Sequence, residues 1–99
     1  MLLMKIFRKK NEKIVAICDP ELLGKVFSEG ELVLNLDKYA GFYSGSKVTA
    51  NEAAKELKDA TSINLVGENA IEVAKNLKLI KDSDIIKIAN VPHVQIYKI

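Results

Sequence analysis

Residues 13–19, K-I-V-A-I-C-D, restrict the possible folds more than any other run in the chain. In an extended strand, alternate side chains point to opposite faces of the sheet. Ala16 and Cys18 then share one face, while Val15 and Ile17 share the other. Because both faces are apolar, we expect an interior strand of a sheet that is covered on both sides.

Strands are also predicted at both ends of the chain. Residues 2–8 are rich in apolar side chains, and the polar segment R-K-K-N-E-K separates them from residues 13–19 as a hairpin turn would. Residues 84–89 and 93–99 predict a second hairpin, with its turn at residues 90–92.

Helix start signals lie between these hairpins. The D-P pair at residues 19–20 supplies an N-cap and a first helical position, which predicts a short helix over residues 20–27. Thr49 and Glu52 have the spacing of a capping box, which predicts a second helix that ends near Asp59.

The segment between these two helices predicts a strand and a loop. In residues 31–37 the apolar residues Leu32, Leu34 and Leu36 alternate with other side chains, which is typical of a strand with one buried face. Residues 38–47 contain two glycines and two serines, so we expect a loop or an irregular strand there.

Residues 62–78 fit two structures. Apolar residues recur at steps of three and four from Ile63 to Ile80, which favours one long helix. The alternative is a short strand at residues 63–66 followed by a helix from Glu68. We favour the long helix.

Together these elements predict an α+β fold, with a mixed or antiparallel sheet. The sheet would contain an N-terminal and a C-terminal hairpin, with two to three helices inserted between them. The length of 99 residues predicts a single domain over residues 1–99, and an apolar content of 48% is enough for a core.

Composition argues against several kinds of site. Cys18 is the only cysteine, so no disulfide can form within the chain, and with one histidine it cannot complete a Cys/His zinc site. We therefore expect neither a metal nor another cofactor. The segment G-F-Y-S-G-S-K lacks the spacing of a phosphate-binding loop. No targeting segment or run of about 20 apolar residues is present, so we expect a cytoplasmic protein without a membrane partner.

Positive charge is concentrated near the start of the chain. Residues 1–13 contain five basic residues and one acidic residue, whereas the net charge of the whole chain is +2. Arg8, Lys9 and Lys10 are therefore candidate contacts for nucleic acid. The alternative is a solvated hairpin tip, for which lysine is well suited.

Three aromatic residues, Tyr39, Phe42 and Tyr43, lie in the glycine-containing segment. Aromatic rings beside lysines can stack on nucleic acid bases. The alternative, which we favour, is that they cover the core while the tyrosine hydroxyls remain in water.

His93 is the only histidine, and Cys18 could serve as its nucleophilic partner. A lone cysteine on an apolar strand is more often a buried thiol, and we expect that here. His93 has a functional interpretation as an acid or base near neutral pH. Its structural interpretation is a hydrogen bond from the ring to a backbone carbonyl in the Pro92 turn.

Three segments resemble a known family. They are C-D-P-E-L-L-G-K-V-F-S-E-G-E-L, N-L-V-G-E-N-A and V-P-H-V-Q, at residues 18–32, 64–70 and 91–95. The chain resembles the archaeal family of small proteins catalogued as domain of unknown function 424. The resemblance implies an archaeal, cytosolic α+β protein of about this length, and it implies no established activity. Val94 departs from the alanine expected in the family.

Within these segments, five polar residues are not needed for a core. They are Lys25, Asn64, Glu68, His93 and Gln95. Asn64 and Glu68 would lie one helical turn apart in the long helix, and His93 and Gln95 share one strand face. We hypothesise that these elements converge and that the five residues form a polar binding patch.

These features favour a binding module whose partner is RNA or a ribonucleoprotein, such as one of the translation machinery. A protein–protein adaptor or homodimer that pairs through exposed edge strands is the first alternative. A small enzyme that uses His93 as acid or base, with Lys25 or Asn64 holding an anionic substrate, is the second alternative. We expect binding rather than catalysis, because no catalytic constellation is visible.

Overall fold

A computed structural model, which describes residues 1–97, contains eight strands and three α-helices in an α+β fold. The strands are β1 (Leu2–Lys9), β2 (Glu12–Cys18), β3 (Val26–Glu29), β4 (Leu32–Asn35), β5 (Ser46–Val48), β6 (Ser62–Val66), β7 (Ile86–Ile88) and β8 (Val91–Tyr97). The helices are α1 (Ala40–Tyr43), α2 (Ala50–Leu57) and α3 (Glu68–Asn76), and Pro20–Leu22 and Asp82–Asp84 form short 3-10 turns.

Six strands form a mixed sheet in the order β5-β1-β2-β6-β8-β7. Strands β2 and β6 are parallel neighbours, and the other pairings in this sheet are antiparallel. Both predicted hairpins, β1–β2 and β7–β8, are present. Strands β3 and β4 form a separate two-stranded hairpin.

The interior position predicted for residues 13–19 is confirmed. Strand β2 lies between β1 and β6, and Val15, Ala16, Ile17 and Cys18 are all fully buried. Val15 and Ile17 pack with α2 and α3, whereas Ala16 and Cys18 pack with the β4–α1 segment. Full burial of a large apolar side chain contributes roughly 1.5–3 kcal/mol. Both faces of the sheet therefore carry a core.

The helix predicted over residues 20–27 is wrong. The 3-10 turn Pro20–Leu22 ends at Leu23, which is extended, and Gly24 follows with a φ of 86°. A positive φ of this kind interrupts a right-handed helix. The chain then enters β3, where Val26 and Phe27 have the branched and aromatic side chains that strands favour.

The long helix predicted over residues 62–78 is also wrong, and the alternative of a strand followed by a helix is correct. Strand β6 ends at Val66, Gly67 adopts a φ of 104°, and α3 begins at Glu68. The apolar spacing resembled a helical stripe because β6 is buried on both faces, with Ile63 in one core and Val66 in the other.

Other boundaries differ by smaller amounts. The strand predicted at residues 31–37 is β4, in which Leu34 is buried but Leu32 is 51% exposed. The turn of the C-terminal hairpin lies at Ala89 and Asn90, rather than at residues 90–92. Lys98 and Ile99, at the end of the predicted final strand, lie outside the described residues.

The capping box of α2 is present. The Thr49 side chain accepts a hydrogen bond from the Glu52 N–H, and the Glu52 carboxylate accepts one from the Thr49 N–H. Within residues 1–97, no helix has both the length and the apolar character needed to span a membrane.

Candidate functional site

A cleft of about 470 Å³ lies between one face of the six-stranded sheet and the segment from β4 to α1. Its sheet side is formed by Ile14, Ser62, Asn64, His93 and Gln95. Its opposite wall is formed by Val33, Leu34, Asn35, Leu36, Tyr39, Phe42 and Tyr43. The volume is in the range of small-molecule sites.

Strand register brings three of the five predicted patch residues into this cleft. Asn64 on β6 lies directly opposite Gln95 on β8, and Val66 lies opposite His93. Directly opposed residues point to the same face, and residues two apart on a strand share that face. The side chains of Asn64, His93 and Gln95 therefore project from the same face of the sheet.

The three side chains differ in depth. Asn64 is only 7% exposed, His93 is half-buried and Gln95 is exposed. Within residues 1–97, the Asn64 carboxamide forms no hydrogen bond. Since every fully buried side-chain polar atom in this range has a partner, the amide atoms of Asn64 are not fully buried. The amide atoms of Asn64 therefore meet solvent through the cleft, which makes them available to a ligand.

His93 carries its ring in the cleft without a charged neighbour. Burial lowers the pKa of His93 below its ordinary value, so the ring is neutral near pH 7. In the part of the chain that the structure describes, the ring forms no hydrogen bond, so the expected bond to a carbonyl of the Pro92 turn is not made.

The aromatic wall is positioned by the turn after β4. The Asn35 side-chain oxygen accepts hydrogen bonds from the N–H groups of Asp37 (3.1 Å) and Lys38 (2.8 Å). This arrangement, an Asx turn, reverses the chain so that Tyr39, the N-cap residue of α1, lies beside the cleft.

Contacts with β1 hold the other end of α1. A Cβ atom at Gly45 would lie 1.8 Å from the Met4 carbonyl oxygen, so only glycine permits this close approach. The Lys5 ammonium donates a hydrogen bond of 2.7 Å to the Gly41 carbonyl. The wall is thus fixed to the sheet by these two contacts.

The three aromatic residues have different roles. Tyr43 is 5% exposed and covers the core, as we favoured from the sequence. Phe42 is partly buried, and its ring stacks on Phe7 with 5.0 Å between centroids. Tyr39 is 55% exposed at the rim, with the Lys38 ammonium 5.6 Å from its ring centroid. Tyr39 thus presents a ring that a ligand can reach.

Lys25 and Glu68 do not line the cleft. Lys25 lies between the first 3-10 turn and β3, and its side chain is exposed. Glu68 begins α3 and lines a different depression with Asp19 and Glu21. The expected helical spacing of Asn64 and Glu68 is wrong, because Asn64 is in a strand. The five-residue patch is therefore reduced to three residues that converge.

The basic residues of the first hairpin are divided between the two faces of the sheet. Lys9 shares a face with Phe7 and Ile14, which puts it on the cleft side, whereas Arg8 is on the side of α2. Lys9 is two residues beyond Phe7, or roughly 6–7 Å along the strand. Glu12 is directly opposite Lys9 and partly offsets its charge.

Lys13 belongs to the structure rather than to the basic surface. It is 6% exposed and forms ion pairs with Glu56, at 2.9 Å, and with Asp59. Burial lowers the pKa of Lys13, but the hydrogen bonds to Asp59 and Glu56 outweigh burial and raise the pKa overall. This lysine joins the start of β2 to the end of α2.

Cys18 is a buried thiol, as expected. Burial, followed in importance by the charges of Asp19 and Glu21, raises the pKa of Cys18 to about 12. A thiol with so high a pKa is a poor nucleophile at neutral pH. Cys18 therefore does not act as a partner of His93.

Asn35, Ser62 and Ile14 were not foreseen as cleft residues. Asn35 and Ser62 look like ordinary turn and strand-end residues, and Ile14 like a core residue. Their common position depends on the parallel pairing of β2 with β6 and on the return of β4 across the sheet. Local sequence patterns do not specify either arrangement.

The cleft as a whole is uncharged. Among the described residues that line it, none is Asp, Glu, Lys or Arg. Within residues 1–97, no group of three or more His, Cys, Asp or Glu side chains could hold a metal ion. The cleft offers amide groups, a neutral imidazole and aromatic surface, which suit a neutral ligand with polar edges.

The fold and the cleft define a small α+β protein with an uncharged cleft on one sheet face. Residues 7–99 match the model of a family described as "Protein of unknown function (DUF424)", so the chain belongs to this family. The resemblance inferred from the three sequence segments is confirmed.

A solved structure is similar over most of its length. It is described as "Crystal structure of an uncharacterized conserved protein from Methanopyrus kandleri". The two chains are 30% identical, with a TM-score of 0.81, and the match covers 97% of this chain and 90% of that one. None of the curated proteins compared with this chain matches it.

Proposed function

We propose that this protein is a binding module for single-stranded RNA, either free or within a ribonucleoprotein, and that one base enters the cleft. The observation that carries the proposal is the cleft itself, in which Asn64, His93 and Gln95 face an aromatic wall and no described lining residue is charged. A nucleobase is planar and neutral, has polar edges and stacks on aromatic rings. Such a role fits the cytoplasmic location expected from the sequence.

Stacking at the rim supports a base rather than an anionic small molecule. Tyr39 is exposed beside the cleft, and base–aromatic stacking contributes about 1–3 kcal/mol per base. An anionic substrate would need a cation in the cleft, and Lys25, which we expected in that role, lies elsewhere. The enzyme alternative therefore loses Lys25 and retains only Asn64, a neutral side chain, to hold an anionic substrate.

Phosphate contacts would lie outside the cleft. Lys9 is on the cleft side of the first hairpin, and Lys10 is exposed at its tip. A strand of RNA with a base in the cleft could place its backbone near these ammonium groups. Arg8, on the opposite face, would contribute less.

The test measures the binding of a labelled, mixed-sequence single-stranded RNA to the purified protein by fluorescence anisotropy, at several salt concentrations. Tyr39→Ala should weaken binding by about 1–3 kcal/mol, because it removes the stacking ring. Tyr39→Phe keeps the ring and should bind like the natural protein.

The salt dependence supplies a second readout. Each lost phosphate contact should reduce the slope of log affinity against log salt by roughly 0.7. Lys9→Ala should lower this slope, whereas Arg8→Ala should change it less, since the two side chains lie on opposite faces. Lys55→Ala, on α2 and away from the cleft, is the matched control.

Absence of RNA binding at low salt would overturn the proposal. Sedimentation of the same sample would then decide whether the protein forms a dimer, as the adaptor or homodimer alternative requires. The exposed apolar side chains of Val33, Ile86 and Tyr97 would be its first candidate contacts.

A further inference from the structure

The two carboxamides of the cleft lie next to each other. Asn64 and Gln95 are directly opposed across β6 and β8, and Cβ atoms of directly opposed residues are roughly 4.5–5.5 Å apart. Asn64 is 7% exposed and lines the cleft, where its amide atoms meet solvent rather than another side chain of residues 1–97. A ligand that enters the cleft displaces the solvent from this amide, so it must offer the amide hydrogen bonds in place of those to water.

A carboxamide makes two parallel hydrogen bonds with a ligand edge that carries a donor beside an acceptor. Adenine presents its N6 amino donor between two acceptors, N7 and N1, so either of its polar edges fits an amide. Asparagine and glutamine are the side chains that read the N6 and N7 pair. Cytosine and uracil each offer one such edge, and their single rings give less area for stacking.

Guanine fits the same groups less well. Its N7 and O6 atoms are adjacent acceptors, which are read by arginine or lysine. No arginine or lysine is among the described residues that line the cleft. One of the two polar edges of guanine is therefore unsuited to this site.

We propose that the cleft prefers adenine over the other bases, with Asn64 reading one polar edge and Gln95 supplying a second amide at the rim. This inference rests on the proposed function, because it assumes that a base of single-stranded RNA enters the cleft. It goes beyond that function by naming the base and the residues that select it.

The test compares the binding of short homopolymers of adenylate, cytidylate and uridylate of equal length, at the same salt concentration. The adenylate strand should bind severalfold more tightly, because adenine has two edges that match an amide and a larger ring surface for stacking. A mixed-sequence strand rich in guanine, compared with one rich in adenine, tests the fourth base.

Asn64→Leu replaces the amide by an apolar group of similar size and should abolish the preference for adenylate, measured as the ratio of the affinity for adenylate to the affinities for cytidylate and uridylate. Gln95→Met, at an exposed position, should reduce the preference and keeps the test decisive if the Asn64 variant fails to fold. Asn51→Leu, on α2 and outside the cleft, is the matched control and should leave the preference unchanged.

The outcomes separate this inference from the proposed function. Equal binding of all homopolymers would overturn the adenine preference while RNA binding stands. A preference for adenylate that survives both Asn64→Leu and Gln95→Met would overturn the assignment of these two residues. Failure of every RNA to bind would overturn the proposed function, and the inference with it.

Discussion

Asp19 is buried at the junction of β2, β6 and α3, and it supplies the cap that α3 otherwise lacks. Its carboxylate accepts hydrogen bonds from the backbone N–H groups of Asn69 (3.1 Å) and Ala70 (2.9 Å). These are among the N–H groups at a helix start that have no partner within the helix. Burial raises the pKa of Asp19, and the two hydrogen bonds oppose that shift.

The residue next to this carboxylate must be glycine. Gly67 has a φ of 104° and a ψ of 155°, a conformation found almost only for glycine. A Cβ atom at this position would lie 2.3 Å from the Asp19 carboxyl carbon. A side chain here would therefore both strain the backbone and displace the cap of α3.

Gly67→Ala should consequently lower the free energy of unfolding by about 3 kcal/mol or more, since backbone strain and the displaced cap add together. Chemical denaturation of the purified variant measures this change. Gly24→Ala is the matched control, because Gly24 has a φ of 86° but nothing within 4 Å of its Cβ position. The control substitution should lower the free energy of unfolding by only about 1–2 kcal/mol. Equal losses in the two variants would contradict the steric role of Asp19.

At the scale of elements, strand β6 shows what local sequence could and could not predict. The apolar steps from Ile63 to Ile80 suggested one helix, because a strand buried on both faces lacks the alternation that identifies strands. Gly67 was the available signal, since a positive φ ends an element. By contrast, the capping box of α2 depends on residues three apart and was predicted correctly.

The D-P pair at residues 19–20 illustrates a second limit. Asp19 was expected to cap a helix that begins beside it, yet it caps α3, fifty residues away in sequence. An N-cap residue looks the same in sequence whether its partner is local or distant. Only the parallel pairing of β2 with β6 brings Asp19 to the start of α3.

The turn of the β7–β8 hairpin contains a residue that is poorly suited to it. Ala89 and Asn90 have φ values of 50° and 68°, which correspond to the type of two-residue turn that favours Asn-Gly. Asparagine adopts a left-handed backbone conformation readily, whereas an alanine in that conformation destabilises the folded state by roughly 1–2 kcal/mol. The Ala89 N–H also donates a hydrogen bond of 2.9 Å to the Glu29 carboxylate.

Ala89→Gly should therefore raise the free energy of unfolding by about 0.5–1 kcal/mol, because removing the strain outweighs the added freedom of the unfolded chain. Thermal or chemical denaturation measures the difference. Ala54→Gly, inside α2, is the matched control and should change stability in the opposite direction by about 1 kcal/mol. A loss of stability in Ala89→Gly would show that the turn is not strained.

At the scale of the whole molecule, sequence predicted the sheet better than the site. The apolar faces of β2 and the two hairpins gave the α+β class, because burial at these positions is periodic. The cleft depends on how β4 and α1 return across the sheet, which rests on particular contacts such as Gly45 against Met4. His93 and Gln95 were found from their shared strand face, whereas Lys25 was assigned to the patch without a geometric reason.

The charge distribution of the molecule follows from the same strand geometry. Five basic residues lie near the start of the chain, but successive side chains along β1 point to opposite faces of the sheet, so Arg8 and Lys9 lie on opposite faces. Lys13 is neutralised by Glu56 and Asp59. The positive field near the cleft is therefore weaker than the count of basic residues suggests, and the neutral cleft becomes the main feature of that face.

The neutrality of the cleft predicts how stability should depend on pH. The pKa of His93 is lowered by burial, so the folded state holds the neutral ring more strongly than the unfolded chain does. The contribution of the neutral His93 ring to the free energy of unfolding is therefore fully present above about pH 6.5, the ordinary pKa of histidine. This contribution is lost as the pH falls through the lower pKa that His93 has in the folded protein. Cys18 and Tyr43, the other titratable groups buried on this face, do not interfere, since their pKa values are raised to about 12.

The expected result is a free energy of unfolding that decreases on acidification below about pH 6.5, before most carboxylates titrate. His93→Gln keeps a neutral polar side chain in the cleft and should remove this decrease. Because the chain has one histidine, a single imidazole resonance in an NMR titration reports the folded pKa directly. A measured pKa at or above 6.5 would mean that the ring is solvated or paired with an acid, and the cleft would then suit a charged ligand rather than a base.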